Sequence, residues 1–325
     1  MQKLIIKLFI FSIPIIILYN IPKFAHYSFS SVINKKINSL IENNNEPMII
    51  VGGDSRAEEQ IISSILERRL GVKTVNIGIS GGDIAILYNA LMAHNLINKD
   101  NTLIISISST EANDNIIYDW SISQAYVTYI STIDNIRLFG KRYLNMMHER
   151  MKLIFKELLK LEVDIKLNPT DNRIETDGFV AVSGDISNFD FQGVDIYNDT
   201  SKVFWYIDSK HDGIRKKVLN KMIGKIADTG MNVILIQSPV TPSWLERTKN
   251  TYIDSIELNH SKFLKNISAQ YDNISFIDFY TNQSTVYHDS MYYNIVHFNF
   301  KGAEIFTNTL LDSLMYRNLL KRNID

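Results

Sequence analysis

The stretch "MIIVGGDSRAEEQI", residues 48–61, decides the fold, because an apolar run is followed at once by glycines, an acid and a serine. We interpret residues 48–52 as a buried strand and residues 57–70 as an amphipathic helix. Ser55 lies where the strand gives way to the helix. It is either a nucleophile at the mouth of a sheet or an ordinary helix N-cap, a position that serine favours.

The same alternation of strand and helix continues along the chain. Further strands are predicted at 73–77, 102–107, 231–237 and 274–278, and further helices at 84–97, 210–228, 248–270 and 301–320. Five short apolar strands separated by helices predict a flavodoxin-like, three-layer α/β/α fold around a five-stranded parallel sheet. A mainly helical insertion is predicted at about 115–205. Ligands of such sheets bind beyond the carboxyl ends of the strands.

The N-terminus begins with lysines followed by an apolar run from Leu8 to Ile21. We expect residues 1–29 to be a membrane anchor, residues 30–47 a connector and residues 48–325 the folded domain. A cleaved signal peptide and a buried helix are the alternatives, although no clean small-x-small cleavage pattern follows the run. The first two interpretations place the bulk of the chain outside the cytoplasm, either anchored in the cell envelope or secreted.

Composition excludes several classes of function. The chain has 34 basic and 35 acidic residues, so no basic face for a nucleic-acid partner is expected. It has no cysteine, which excludes disulfides, thiolate metal sites and cysteine catalysis. Its His211, His260 and His288 lack the paired spacing of a metal site and are interpreted as surface or loop histidines. No metal and no cofactor are predicted.

A second informative stretch is "HDSMYYNIVHFNFKGAEIFTNTL", residues 288–310, which places His297 just before the last predicted helix. A serine hydroxyl needs a base, and histidine is the usual one, brought from a distant segment by the fold. Oxyanion donors are also needed. "NIGISGGD", residues 76–83, offers Gly81 and Gly82, whose backbone N–H groups can approach a ligand closely, unless the stretch is a plain glycine turn.

These stretches together resemble the SGNH (GDSL-type) hydrolase superfamily. "GDS" resembles its first block, "NIGISGG" its second and "VHFNFKGAEIFT" its last, over residues 48–110 and 230–320. The resemblance implies that Ser55 is the nucleophile, that His297 is the base, and that Gly81 supplies an oxyanion N–H.

Two departures from that pattern affect the expected site. The family commonly has an acid three residues before the histidine, where this chain has Asn294. Either the pair works without a carboxylate, or Asp289 substitutes from a longer reach, or the site has decayed. The third block, "SSTEAND", provides Asn113 as an oxyanion donor only if three extra residues intervene, and Thr110 is the colinear candidate.

Side chains around the serine have expected supporting roles. Asp54 is expected to bond backbone at the helix start, with a role as a proton carrier at the site as the alternative. Arg56 is expected to be a solvated first-turn side chain, with binding of a substrate carboxylate or phosphate as the alternative. Pro242 and Trp244 follow a predicted strand and either wall the pocket or form a rigid loop.

The anchored arrangement most resembles accessory proteins of cell-surface acylation, such as alginate O-acetylation factors and the esterase of teichoic-acid D-alanylation. Those work beside a multipass membrane acyltransferase. The resemblance implies acyl transfer to, or ester removal from, an extracytoplasmic polysaccharide, with O-acetylation favoured. The alternatives are a secreted GDSL-type esterase or lipase acting on simple acyl esters, and a non-catalytic scaffold or glycan-binding subunit, which Asn294 supports.

Overall fold

A computed structural model describes residues 36–38, 40–41, 46–112, 177–184, 186, 213–283 and 286–320. The expected anchor at 1–29, most of the insertion at 115–205, Asn113 and His211 therefore lie outside the described residues. Within these ranges no helix combines the length and apolar character needed to cross a membrane.

The centre of the fold is a five-stranded sheet in which every neighbouring pair is parallel. Its strands are β1 (Ile49–Gly53), β2 (Thr74–Asn76), β3 (Thr102–Ser106), β4 (Asn232–Gln237) and β5 (Ile274–Asp278). Their order across the sheet, β2-β1-β3-β4-β5, is that of a flavodoxin-like doubly wound fold. The fold class predicted from the sequence is confirmed, and each predicted strand is present with ends that differ by no more than one residue.

Helices cover both faces of the sheet. They are α1 (Ser55–Gln60), α2 (Ser63–Leu70), α3 (Ile84–Ala93), α4 (Ile214–Ala227), α5 (Pro242–Thr248), α6 (Tyr252–Ser268) and α7 (Phe300–Tyr316). Residues of α3, α4 and α6 form one core with the sheet, and residues of α1, α2 and α7 form the other. Neighbouring residues of each strand point to opposite cores, which explains why the strands are apolar runs without polar alternation.

The predicted helix at 57–70 is in fact two helices, α1 and α2, separated at Ile61 and Ile62. The break is held by side chains from other elements. The Ile62 N–H donates to Thr307 Oγ1 of α7 at 3.0 Å. The Asn76 amide donates to the carbonyls of Ala57 (2.7 Å) and Ile61 (2.8 Å). The apolar period continues across the break, so the sequence carries no local sign of it.

The predicted helix at 248–270 also differs from the structure, which has α5 ending at Thr248 and α6 beginning at Tyr252. Between them Asn250 has φ of 60°, a left-handed conformation that ends a helix. The Thr251 N–H donates back to the Thr248 carbonyl at 2.9 Å.

Replacement of Asn76 tests how far the break depends on that one side chain. The residue is fully buried, and its amide also accepts from the Gly78 N–H at 2.9 Å. Asn76→Ala leaves buried backbone groups without partners and is expected to lower the free energy of unfolding by about 3 kcal/mol. Urea denaturation measures the loss. Asn308→Ala, which removes a surface bond to the Glu304 carbonyl, is the matched control, and an equal loss in both variants would contradict the assignment.

Candidate active site

The turn after β1 decides how Ser55 is presented. Gly53 has φ of 129°, and a Cβ there would lie 2.2 Å from the Ser106 carbonyl oxygen of β3, so only glycine fits. Asp54 follows as the N-cap of α1, and its side chain accepts from the Arg56 N–H at 2.9 Å. The expected role of Asp54 at the helix start is confirmed. Since Asp54 caps the helix, the Ser55 hydroxyl is left available for another partner.

That partner is His297, in the loop between β5 and α7. Ser55 Oγ lies 2.6 Å from His297 Nε2. The loop is closed by the Tyr293 N–H, which donates to the His297 carbonyl at 3.1 Å, and by the Gln60 amide of α1, which donates to the Val296 carbonyl. The structure thus brings together the two residues that the sequence proposed as nucleophile and base.

The side-chain oxygen of Asn294 fixes the proton on the imidazole. It accepts from the backbone N–H groups of Val296 and His297, each at 3.0 Å, and lies 3.0 Å from His297 Nδ1. Because two obligate donors point at this atom, it must be the amide oxygen and not the nitrogen. Nδ1 therefore carries the proton and donates it to Asn294. Nε2 is left with a lone pair that accepts from the Ser55 hydroxyl.

The surroundings of His297 favour its neutral form. Burial lowers the pKa of His297 to about 3, and the positive charge of Arg56 acts in the same direction. The imidazole is therefore unprotonated at neutral pH, as a general base requires. An amide oxygen, being neutral, stabilises the imidazolium that forms during proton transfer less than a carboxylate would.

The alternative in which Asp289 replaces the missing acid is wrong. Asp289 Oδ1 accepts from the Ser243 N–H at 3.1 Å, and its other oxygen accepts from the Ser243 hydroxyl. These bonds cap the first turn of α5. Asn294, three residues before the histidine, is the residue bonded to His297 Nδ1.

The glycine stretch after β2 forms a tight turn beside the serine. The Ile79 N–H donates to the Gly53 carbonyl at 3.1 Å, and the Gly82 N–H closes the turn on the Ile79 carbonyl at 2.7 Å. Gly81 has φ of 69°, which favours glycine. Gly82 is thus wrong as an oxyanion donor, because its N–H is already bonded. Within the described part of the chain, the N–H groups of Gly81 and Ser55 have no acceptor and remain available.

Lys36 and Glu58 hold this turn against α1. Glu58 Oε2 accepts from the Ser80 N–H at 2.7 Å, and Glu58 Oε1 lies 3.1 Å from Lys36 Nζ. The Lys36 ammonium also donates to the Gly78 carbonyl at 2.8 Å. Burial lowers the pKa of Lys36, and the Glu58 charge opposes that shift. Sequence reasoning missed both residues, because Lys36 was assigned to a connector and no local pattern links it to the turn.

A described segment within the predicted insertion joins the two halves of the site. The Val180 N–H donates to the Glu58 carbonyl of α1 at 3.1 Å. The Ile186 N–H donates to the Tyr292 carbonyl, and the Phe300 N–H donates to the Val182 carbonyl, each at 2.9 Å. Residues 177–184 and 186 thus connect the serine helix to the histidine loop.

Two further expectations about charged side chains are corrected. Arg56 is not solvated: it is 4% exposed, beside Asp54, whose pKa burial raises and the Arg56 charge lowers. His260 is not a surface residue either, since it lies in α6 at 4% exposure with Nε2 3.3 Å from the Ile107 carbonyl. Arg56 lies on α1 and His260 on α6, helices that pack against opposite faces of the sheet, so tertiary packing buries both side chains. His288 is exposed, as expected.

The remaining candidates have structural positions. Trp244 is buried in a small cluster with Val240, Ile253, Ile256 and Tyr280, so it packs inside the protein and does not wall a pocket. Pro242 is the first residue of α5. Thr110 Oγ1 lies 2.5 Å from Ser108 Oγ.

Comparison with known proteins gives only distant likenesses. No protein-family model matches the chain, and no curated protein sequence matches it. Solved structures that resemble it include a lipase/acylhydrolase from Enterococcus faecalis, with 12% identity, a TM-score of 0.40, and coverage of 86% of this chain and 100% of that one. An alpha/beta hydrolase enzyme from the metagenome of Lake Arreo, Spain, has 12% identity, a TM-score of 0.40 and coverage of 83% and 94%.

A third structure, that of TesA, has 13% identity, a TM-score of 0.37 and coverage of 84% of this chain and 99% of that one. These likenesses are too distant to indicate what the protein does. Its function must therefore be inferred from the geometry around Ser55 and His297.

The contacts of Lys36 and Glu58 that hold the glycine turn against α1, which we call the clamp, can be tested directly. Glu58→Ala removes the carboxylate that pairs with the Lys36 ammonium, whose side chain is 3% exposed, and is expected to lower the free energy of unfolding by about 3 kcal/mol. Glu246→Ala is the matched control. It removes a pair with Lys249 whose side chains are 64% and 80% exposed, and should change stability by less than about 0.5 kcal/mol. Equal thermal and urea stability of the two variants would refute the clamp.

Proposed function

We propose that the protein is a serine acyl-esterase or O-acyltransferase that works through an acyl-enzyme on Ser55. The observation that carries this proposal is the 2.6 Å contact between Ser55 Oγ and His297 Nε2, in a tautomer fixed by Asn294. A hydroxyl bonded to the lone pair of a partly buried, neutral imidazole is the arrangement that nucleophilic serine catalysis needs.

The mechanism follows from these positions. Ser55 Oγ attacks an acyl carbonyl carbon while its proton passes to His297 Nε2. The N–H groups of Ser55 and Gly81 donate to the oxyanion that forms. The C–O bond to the leaving alcohol then breaks, the alcohol takes the proton from Nε2, and the acyl group remains on Ser55. A water or a sugar hydroxyl, deprotonated by the same nitrogen, attacks the acyl-enzyme and releases Ser55.

Covalent labelling tests the catalytic pair. A serine-directed fluorophosphonate is expected to label the wild-type protein, and Ser55→Ala should lose all labelling because the reacting oxygen is gone. His297→Ala should lower the labelling rate by at least about 1000-fold, because the base is gone. Gel fluorescence gives the readout, with Ser243→Ala as a matched control. Absence of labelling in a folded wild-type protein would favour the non-catalytic scaffold that Asn294 first suggested.

We extend the proposal to O-acylation, in particular O-acetylation, of a cell-surface polysaccharide, with a multipass membrane acyltransferase as partner. The support is the apolar run from Leu8 to Ile21, which would anchor the chain in the cell envelope, and the resemblance stated for residues 48–110 and 230–320. Transfer of a labelled acetyl group to polysaccharide, measured against its release to water, separates this activity from that of a secreted esterase. Release from membranes on deletion of residues 1–29 tests the anchor.

The neutral partner of His297 predicts an unusual pH profile. The base works only when unprotonated, and its lowered pKa keeps the acidic limb of kcat/KM well below neutral pH. Asn294→Asp preserves the acceptor and adds a negative charge, which raises the pKa of His297 and moves that limb to higher pH by about 1–3 units. Above the new limb, kcat should rise about tenfold or more, because the imidazolium is better stabilised. An unmoved limb with unchanged kcat would contradict this role for Asn294.

A further inference from the structure

The missing carboxylate raises the question of what else stabilises the imidazolium of His297. Its two nitrogens contact a hydroxyl oxygen and an amide oxygen, neither of which is charged. Among the described residues, the charge that acts on the pKa of His297 is that of Arg56, which is positive and opposes protonation. Its two nitrogens are occupied by these neutral partners, so the face of the ring is the part of the imidazole left for a further contact.

Tyr293 occupies that face. Its ring stacks on the imidazole with centroids 5.5 Å apart and planes 15° from parallel. Electron density above an aromatic ring attracts a cation within about 6 Å of its centroid. The stack therefore becomes more favourable when His297 takes up the serine proton, which is the moment at which a carboxylate would act in a full triad.

Glu59 enhances this effect through the phenol. The Tyr293 hydroxyl donates to Glu59 Oε2 at 2.6 Å, a short bond of the kind made to a charged acceptor. Glu59 is 8% exposed, so little water screens its charge. Donation to a carboxylate increases the electron density of the phenol ring. Glu59 belongs to α1, the same helix that begins with Ser55, so nucleophile and stabilising charge move as one unit.

We infer that Tyr293, polarised by Glu59, is a positioning residue that stabilises protonated His297 through the ring face and so takes over part of the role of the absent acid. The inference rests on the proposed function. It also explains how a site with Asn294 in place of a carboxylate remains competent. Tyr293 acts through the imidazole ring on which it stacks.

The test uses the full-length chain carrying Asn294→Asp, because that background brings the titration of His297 into an accessible pH range. The pKa of His297 is measured by NMR on protein labelled at histidine Cε1. Adding Tyr293→Leu removes the ring and is expected to lower this pKa by about 0.5–1 unit. Adding Tyr293→Phe or Glu59→Gln keeps a ring in place but removes the polarising bond or charge, and should lower the pKa by a smaller amount.

Tyr316→Leu, at a tyrosine that is 90% exposed on α7, is the matched control and should leave the pKa of His297 unchanged. An identical pKa in the Tyr293→Leu and Tyr316→Leu variants would overturn the inference. In the Asn294-containing enzyme, Tyr293→Leu should lower kcat about threefold to tenfold with little change in KM. If Tyr293 had a purely structural role, Tyr293→Leu would instead lower the melting temperature without lowering kcat selectively over KM.

The experiments distinguish failure of the proposed function from failure of the inference about Tyr293. The wild-type chain could fail to label with fluorophosphonate and fail to turn over esters while Tyr293→Leu lowers the pKa of His297 more than Tyr293→Phe or Glu59→Gln does. In that case the proposed function is wrong and the ring-face contact stands. If esters are turned over while Tyr293→Leu changes neither the pKa nor kcat, the catalytic pair stands and the inference is wrong.

Discussion

The hydrogen bond between Ser55 and His297 joins two segments that are 242 residues apart in sequence, and the rest of the structure makes that contact possible. Parallel strands bring all of their carboxyl ends to one edge, where β1 delivers the serine. The loop after β5 returns the histidine to that edge, and α7 packs against α1 in the same core, which fixes the distance between them. The contact between Ser55 and His297 is thus a consequence of sheet order and of one helix interface.

The sequence was sufficient for features that depend on local pattern. Apolar runs of strand length, separated by helical periods, predicted all five strands and the class of fold. Ser55 and His297 could be found because each lies at a junction that the pattern exposes. Features that depend on contacts between distant residues could not be predicted: the break at Ile61, the burial of Arg56 and His260, and the clamp formed by Lys36 and Glu58. Each is created by packing between segments whose sequences carry no mark of one another.

The site also shows how a neutral residue can make the orienting contact to histidine that a triad carboxylate makes. Orientation and charge are separate contributions of a triad carboxylate. Asn294 retains the first, because its oxygen is held by two backbone N–H groups and directs the proton to Nδ1. The second is weakened, which leaves the imidazolium dependent on its other neighbours. In the sequence, Asn294 in place of an acid suggests that catalysis is lost. In the structure, the charge is absent but the hydrogen bonds that orient His297 are present.

The strand order has a consequence for how the protein is made. Strands β2, β1 and β3 can pair as soon as they are synthesised, but the other edge of β3 must wait for β4 until residues 107–231 have been added. At typical rates of synthesis that delay is on the order of ten seconds. During it, the unpaired edge beside Leu103, Ile104 and Ile105, all of which are buried in the finished sheet, is open to any other extended chain. A folding factor that occupies this edge would act before Ser55 and His297 have been brought together.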